Sequence, residues 1–276
     1  MAVSDAARLL ALRIETEKEL HFFTKYGFRQ RRGFKWKDNW HHKMMCDALM
    51  RVYRGECKRL IINIPPRYSK TEIAVVNFIA WALGIHPDCE FIHASYSSRL
   101  ATNNAANARD VVSSDWYGEL FPNTLLDAAS TAKDHWKTTA GGVVYAVGAG
   151  GTITGFGAGK LREGFGGALI IDDPHKADEA NSDTIRKGVL DWFQNTLESR
   201  KNDPHNTPII VIMQRLAEED PTGFIKAGKV PGEWEFINIP ALIDDEYVEG
   251  LPEKYRELIE ESERDEQGRF SYWPYK

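Results

Sequence analysis

Cysteine is scarce in this chain, which has only three cysteines among its 276 residues. Cys46, Cys57 and Cys89 form no CxxC pair and show no metal-ligand spacing, so the sequence predicts reduced thiols in a cytosolic protein. Long apolar runs are also lacking. No stretch approaches the roughly 20 residues that a membrane helix needs, and the N-terminal residues form a charged amphipathic pattern without the apolar region of a signal peptide. These absences predict a soluble protein that is not exported.

Net positive charge is absent from the chain as a whole, which carries a formal charge of −5 at pH 7. The charges are unevenly distributed, however. Residues 1–60 contain 14 Lys and Arg against 7 Asp and Glu, whereas residues 241–276 contain 5 against 11. The basic segment 29–37, RQRRGFKWK, is a candidate surface for nucleic-acid phosphates, although a solvated face is the more common role of a single charge run.

Apolar strand patterns alternate with helical patterns through the middle of the chain. The strand patterns are RLIINIP, CEFIHASYS, ALIIDDP and TPIIVIMQR, at 59–65, 89–97, 168–174 and 207–215. The helical patterns lie at 40–55, 70–84, 97–114 and 182–200. This alternation predicts an α/β fold with a right-handed, doubly wound and mostly parallel β-sheet flanked by helices.

Three regions are predicted from these patterns. Residues 1–38 form an N-terminal helix and the basic segment, residues 39–240 form the α/β core, and residues 241–276 form an acidic lid or linker. Within the core, the glycine-rich stretch 135–167 predicts hairpins or an irregular loop over a sheet edge, and 233–242 is a further strand candidate. The stretch 252–268, PEKYRELIEESERDEQG, predicts an acidic helix whose apolar positions are too sparse for a core.

A Lys-Thr pair follows the first apolar strand and begins the next helix. The phosphate-loop consensus GxxxxGK[ST] placed on Lys70 and Thr71 requires glycine at two positions where this chain has Ile64 and Ser69. The context still fits, because a buried strand leads through a short loop to a helix N-terminus that binds anions. In that geometry Lys70 reaches the β- and γ-phosphates and Thr71 binds Mg²⁺. The alternative is an exposed lysine at an ordinary helix start.

Other residues of the same loop are candidates for phosphate binding. The backbone N–H groups of Tyr68, Ser69, Lys70 and Thr71 would surround the β-phosphate, and Arg67 would add a second positive charge.

Two acids end an apolar strand about 100 residues after Lys70, where a Walker B element lies in sheets of this kind. Asp172 is predicted to hold Mg²⁺ through water, and Asp173 to orient the attacking water as the catalytic carboxylate. Glu179 is the substitute base if Asp173 serves the metal. A capped turn after a strand is the structural alternative, and a metal-hydrolase cluster that includes His175 is the chemical one.

Several of these segments together resemble the large terminase subunit, the DNA-packaging ATPase of tailed bacteriophages. The segments are PPRYSKTE, FIHASYSSRLA, LIIDDPHKADEANSDTIRKGVLDWFQNTLESR and IIVIMQRLAEEDPTGFI, and their order and spacing are similar to that family from about Trp40 to the end of the chain. The resemblance implies a P-loop NTPase fold of the ASCE type. In that family the loop often reads Pro-Pro-Arg-x-Gly-Lys-Ser/Thr, so Ser69 departs from the usual glycine.

The resemblance also implies roles for individual residues. Lys70 and Thr71 would bind ATP and Mg²⁺, with Asp172 and Asp173 as Walker B and catalytic carboxylate. The resemblance places an adenine motif at Trp40 and His41, although glutamine is commoner in the family at the position of His41. It places a coupling motif at Gln214 and Arg215. It also implies an arginine shared between ring subunits, for which Arg162 is the candidate and Lys160 and Arg109 are the alternatives.

A DNA-packaging function follows from the resemblance. It implies an ATP-driven motor that moves double-stranded DNA into a procapsid, with the portal protein and the small terminase subunit as partners, a homo-oligomeric ring, and a place in the host cell cytoplasm. The nuclease domain of that family is not expected within this chain, so no nuclease residues are predicted. The alternatives are a helicase-like or repair P-loop ATPase and a non-enzymatic capsid-adaptor protein.

Overall fold

The computed structural model describes residues 4–273 except 152, 154, 180 and 181. Eight strands form its main sheet: β1 (Arg59–Asn63), β2 (Glu90–Ser95), β3 (Leu126–Thr131), β4 (His135–Thr138), β5 (Val143–Gly148), β6 (Leu169–Asp172), β7 (Ile209–Met213) and β8 (Glu235–Asn238). Their order across the sheet is β3-β4-β5-β2-β6-β7-β1-β8. Strands β5, β2, β6, β7, β1 and β8 run parallel, while β4 is antiparallel to both β3 and β5. The predicted α/β architecture with a mostly parallel sheet is confirmed.

Helices cover both faces of this sheet. They are α1 (Asp5–Lys18), α2 (Leu20–Arg32), α3 (Trp40–Tyr53), a π-helical segment (Glu72–Asn77) that continues into α4 (Phe78–Ile85), α5 (Ser98–Val112), α6 (Asp115–Leu120), α7 (Asp183–Leu197), α8 (Pro221–Lys226), α9 (Asp245–Glu249) and α10 (Glu253–Arg256). One apolar core packs the sheet against α3, α4 and α5, and a second packs it against α7 and α8. The central strands are apolar on both sides because each face is covered.

The N-terminal region contains two helices where one was predicted. Ser4 begins α1 by accepting a hydrogen bond from the Ala7 N–H at 3.3 Å, and the chain breaks at Glu19, whose φ of −138° is extended. Helix α2 includes the first half of the basic segment and ends at Gly33 in the left-handed conformation. Its Phe23 is fully buried, so this region packs on the core instead of extending from it.

The glycine-rich stretch forms one edge of the sheet. Strands β4 and β5 make an antiparallel hairpin, as predicted, and β3 extends the sheet beyond them. Gly142 is required in this hairpin, since a Cβ there would lie 2.3 Å from the Pro87 carbonyl oxygen. Among the described residues between β5 and β6, Ala158 forms an isolated parallel bridge with Lys201.

The acidic helix predicted over 252–268 is wrong for most of its length. Helix α10 covers only Glu253–Arg256. A short strand, β10 (Phe270–Ser271), then pairs antiparallel with β9 (Leu242–Ile243). Repulsion among the acids at 257–266 disfavours a longer helix, and burial of Phe270 and Tyr272 brings the chain back to the core. Among the described residues, no helix has the length and apolar character needed to cross a membrane.

Candidate active site

The loop between β1 and the following helix has an unusual backbone. Arg67 and Ser69 both have positive φ angles, 68° and 64°, a conformation that costs a residue with a side chain about 1–2 kcal/mol. Ser69 therefore occupies a glycine-like backbone position, the one at which the phosphate-loop consensus has glycine. Its carbonyl oxygen accepts a hydrogen bond from the Ile73 N–H at 3.0 Å, which starts the helix.

Two pairs of side chains meet at the carboxyl ends of β1 and β6. The Lys70 ammonium lies 2.8 Å from Asp173 Oδ2, and the Thr71 hydroxyl donates to Asp172 Oδ2 at 2.5 Å. Thr71 and Asp172 are 101 residues apart in the chain. Lys70 and Asp172 are buried, with 6% and 1% of their surfaces exposed. The structure thus brings Lys70 and Thr71, predicted for phosphate and metal binding, into contact with Asp172 and Asp173, predicted as metal ligand and catalytic carboxylate.

Asp172 has an unsatisfied oxygen in this site. Its Oδ1 atom is buried and has no hydrogen-bond partner among the described residues. Burial, followed by the charge of Asp173, raises the pKa of Asp172 above its ordinary value, against the opposing effects of Thr71 and Lys70. A free carboxylate oxygen beside a threonine hydroxyl is a suitable donor set for Mg²⁺, which takes oxygen ligands and keeps several waters.

Asp173 connects three parts of the site. Its φ of 45° turns the chain sharply after β6. Its Oδ1 accepts a hydrogen bond from the Gln214 N–H at 3.0 Å, and its carbonyl oxygen accepts one from the Tyr96 N–H at 2.9 Å. Since Oδ2 holds Lys70, this one residue joins the loop after β1 to the ends of β2 and β7.

The two residues predicted for coupling have different environments. Gln214 contacts Asp173 directly through its backbone. Arg215 turns toward α8, where its Nε lies 2.8 Å from the buried carboxylate of Asp220. Asp220 also accepts the Gly223 N–H at 3.1 Å and thereby begins α8. Only the first member of the pair therefore reaches the Lys70 and Asp173 cluster.

Arg162 lies away from this cluster, at the amino end of β2. Its Nε is 3.2 Å from Asp88 Oδ2, and its guanidinium donates to the carbonyl oxygens of Glu163 and Phe165 at 3.0 and 2.5 Å. The side chain is 25% exposed. These partners hold the Arg162 side chain within its own chain.

Of the other candidate charges, two have acidic partners elsewhere and two are exposed. Lys160 pairs with Glu90 at 3.1 Å, at the same amino end of β2. Arg109 lies on α5, 3.8 Å from Asp110. Glu179 is exposed in a turn, where its backbone N–H donates to the Lys176 carbonyl oxygen at 3.1 Å. Arg67 is exposed in the loop after β1.

Trp40 and His41 belong to an aromatic cluster beside the same loop. The His41 ring lies 5.4 Å from the ring of Tyr68 and 5.1 Å from that of Tyr272. The Trp40 ring lies 4.8 Å from that of Tyr272. Burial lowers the pKa of His41 to about 2, so the ring is neutral. Its two ring nitrogens have no hydrogen-bond partner in the described part of the chain.

The metal-hydrolase alternative depends on His175, which follows Asp172 and Asp173 in the chain. His175 is buried and its pKa is lowered, first by burial. Within residues 4–273, apart from the four left undescribed, no group of three or more His, Cys, Asp or Glu side chains could hold a metal ion. The oxygen site at Asp172 is of another kind, in which a hydroxyl, a carboxylate and water would be the ligands.

Sequence reasoning missed Ser95, which ends β2 directly beside Asp172. The signal was present, since a small polar residue closes an apolar strand at the edge where the acids lie.

A comparison with protein-family models and one with curated protein sequences found no match to this chain.

Proposed function

We propose that this chain is a Mg²⁺-dependent ATP hydrolase with a P-loop NTPase fold of the ASCE type. One observation carries the proposal: Lys70 and Thr71, at the start of one helix, contact Asp173 and Asp172, at the end of a neighbouring parallel strand. Ligands in open α/β sheets bind beyond the carboxyl ends of the strands, which is where these side chains lie.

Each residue of the loop has a proposed part in holding the triphosphate. The backbone N–H groups from Tyr68 to Thr71 would surround the β-phosphate, in a loop whose Arg67 and Ser69 have positive φ angles. Lys70 supplies the charge for the β- and γ-phosphates. Thr71 and Asp172 would hold Mg²⁺, which neutralises charge on the transferred phosphoryl group.

Asp173 is the proposed general base, and its ion pair with Lys70 implies an exchange of partners. A triphosphate carries several negative charges and competes with the single carboxylate for the ammonium group. When Lys70 turns to the phosphates, Asp173 Oδ2 becomes available to orient a water molecule. The Gln214 N–H then still holds Oδ1 and fixes the direction of the carboxylate.

The resemblance to the large terminase subunit extends this proposal to DNA packaging. We infer a motor domain that drives double-stranded DNA into a procapsid, acting with a portal protein and a small terminase subunit in a homo-oligomeric ring. Arg162 would serve such a ring only from a neighbouring subunit, because in its own chain it lies at the amino edge of the sheet. Its release would require loss of the Asp88 ion pair.

The first prediction tests the ATPase itself. Lys70→Ala and Asp172→Ala should each lower Mg²⁺-dependent ATP hydrolysis by at least about 100-fold, because one removes phosphate charge and the other the metal ligand. Phosphate release in steady state measures this. The matched control is Lys58→Ala, a lysine just before β1 at the opposite edge of the sheet, which should keep wild-type turnover. Full turnover and nucleotide affinity in Lys70→Ala would refute the proposal.

A further inference from the structure

Ser95 lies next to Asp172 across two neighbouring parallel strands. It is the last residue of β2, it is fully buried, and it stands in register with Asp172 on β6. Register partners in a sheet direct their side chains to the same face. On that face the preceding pair, His93 and Ile170, has the same register, and Thr71 contacts Asp172.

Each of these two residues carries a polar atom without a partner. Ser95 Oγ and Asp172 Oδ1 are both inaccessible to solvent and have no hydrogen-bond partner among the described residues. Buried polar groups in native proteins are nearly always paired, with protein or with ordered water. Two such orphans on adjacent strands, facing the same side, indicate a hydrophilic ligand that reaches both.

The Thr71 hydroxyl restricts what that ligand can be. It already donates to Oδ2 of Asp172, so Oδ1 is the carboxylate oxygen that remains for a ligand. A Mg²⁺ ion keeps several of its waters when proteins bind it, and those waters need hydrogen-bond partners of their own.

We propose that Ser95 is a positioning residue for the divalent cation, whose hydroxyl binds a water molecule of the ion's hydration shell. The inference rests on the proposed function, since it takes Asp172 and Thr71 as the residues that hold the ion. It adds to them a third side chain, from β2, that touches the ion only through water.

A purely structural role for Ser95 predicts a different result. If the hydroxyl only supported the fold, its removal would lower the stability of the metal-free protein. If the hydroxyl instead binds a hydrated ion, it is a buried group without a hydrogen-bond partner in the metal-free protein and lowers the stability of that form. Ser95→Ala should then leave the thermal midpoint in EDTA unchanged or higher. Ser95→Cys keeps the shape of the side chain, with a somewhat larger end atom, but offers sulfur, a weak partner for water.

The experiment measures Mn²⁺ affinity by electron paramagnetic resonance in the presence of saturating ADP. Wild type is compared with Ser95→Ala, Ser95→Cys and Asp172→Asn. Thr16→Val is the matched control, because Thr16 Oγ1 is another buried hydroxyl with no described partner but lies on α1. ADP affinity without metal and the thermal midpoint in EDTA are measured for each variant.

We expect Ser95→Ala and Ser95→Cys to weaken Mn²⁺ binding by about tenfold. Their metal-free ADP affinity should be unchanged, and Thr16→Val should bind Mn²⁺ like wild type. If Ser95→Ala does not fold, Ser95→Cys alone decides. Mn²⁺ affinity within twofold of wild type in the folded Ser95 variant, with binding lost in Asp172→Asn, overturns the role of Ser95 alone. Unchanged affinity in Asp172→Asn as well overturns the proposed metal site.

Discussion

At the scale of single residues, the site combines strain with burial. Ser69 holds a left-handed backbone that glycine adopts freely, and Asp173 has the same unusual sign of φ. Such residues cost stability and persist only where the surrounding structure fixes them. The sequence predicted which residues form the loop but not their φ angles, because the backbone conformation of the loop depends on the flanking strand and helix.

Replacing Ser69 by glycine tests that strain. Ser69→Gly should leave the free energy of unfolding unchanged or raise it by up to about 1 kcal/mol, since relief of the positive φ outweighs the added freedom of the unfolded chain. Urea denaturation measures the change.

The control for this change is Ser113→Gly. Ser113 ends α5 with an ordinary φ of −82°, so the same substitution there should lower stability by about 0.5–1 kcal/mol. Equal losses at both positions would contradict strain at Ser69.

His41 should make stability fall in acid. Its folded-state pKa of about 2 lies below the ordinary value of 6.5, so below pH 6.5 the unfolded chain takes up a proton that the folded protein excludes. The stabilisation is complete above pH 6.5 and falls by about 1.4 kcal/mol per pH unit below it. In His41→Phe, the free energy of unfolding should fall less steeply with decreasing pH between pH 6 and 4, by the contribution of one proton. Urea denaturation at several pH values measures this slope.

The control for the acid slope is His205→Phe, because His205 is exposed. That variant should retain the wild-type slope. If His41→Phe retained it too, protonation of His41 on unfolding would not contribute to acid sensitivity.

At the scale of elements, β6 and β7 end in a shared junction. Asp173 follows β6, and its carboxylate accepts the backbone N–H of the first residue after β7 while also holding Lys70. The sequence predicted both strands from their apolar runs, and the parallel arrangement follows from their alternation with helices. It did not predict that Gln214 would meet Asp173 through its backbone, because the order β2-β6-β7-β1 is set by tertiary pairing.

Asp173→Asn should separate nucleotide binding from hydrolysis. The neutral amide no longer competes for Lys70, so ATP should bind up to about tenfold more tightly, which is about 1.4 kcal/mol. Turnover should nevertheless fall by at least about 100-fold, because the proposed general base is lost. Equilibrium binding of a fluorescent ATP analogue and single-turnover hydrolysis measure the two effects.

An exposed aspartate provides the comparison for this variant. Asp178→Asn, in the turn that follows β6, should change neither affinity nor turnover. Wild-type hydrolysis in Asp173→Asn would remove Asp173 from the mechanism and direct attention to Glu179.

At the scale of the whole molecule, a segment near the end of the chain packs against the start of α3, beside the loop. Tyr272 is fully buried against Trp40 and His41, and its carbonyl oxygen accepts a hydrogen bond from Asn39 Nδ2 at 2.7 Å. Residues 241–276 were predicted as an acidic lid or linker from composition alone. The composition is an average over the whole segment, so it did not reveal the buried apolar residues Phe270 and Tyr272 near its end.

Tyr272 should stabilise the fold through its ring and not through its hydroxyl. Tyr272→Ala should lower the free energy of unfolding by about 3 kcal/mol or more, because it leaves a cavity among large side chains. Tyr272→Phe should be neutral or stabilising, since the buried hydroxyl has no partner in the described part of the chain. Denaturant midpoints compare the two; equal losses in both variants would assign the stability to the hydroxyl.

The sequence by itself determined the central strands and the chemistry available at their ends. Continuous apolar runs fixed β1, β2, β6 and β7, since strands covered on both faces need no polar alternation. Lys70, Thr71, Asp172 and Asp173 followed from residue type and position after a strand. Tertiary structure alone decided that these groups touch, which partners hold Arg162 and Arg215, and where Ser95 lies. Those outcomes depend on strand order and burial, which bring together residues that are far apart in the chain and remove them from water.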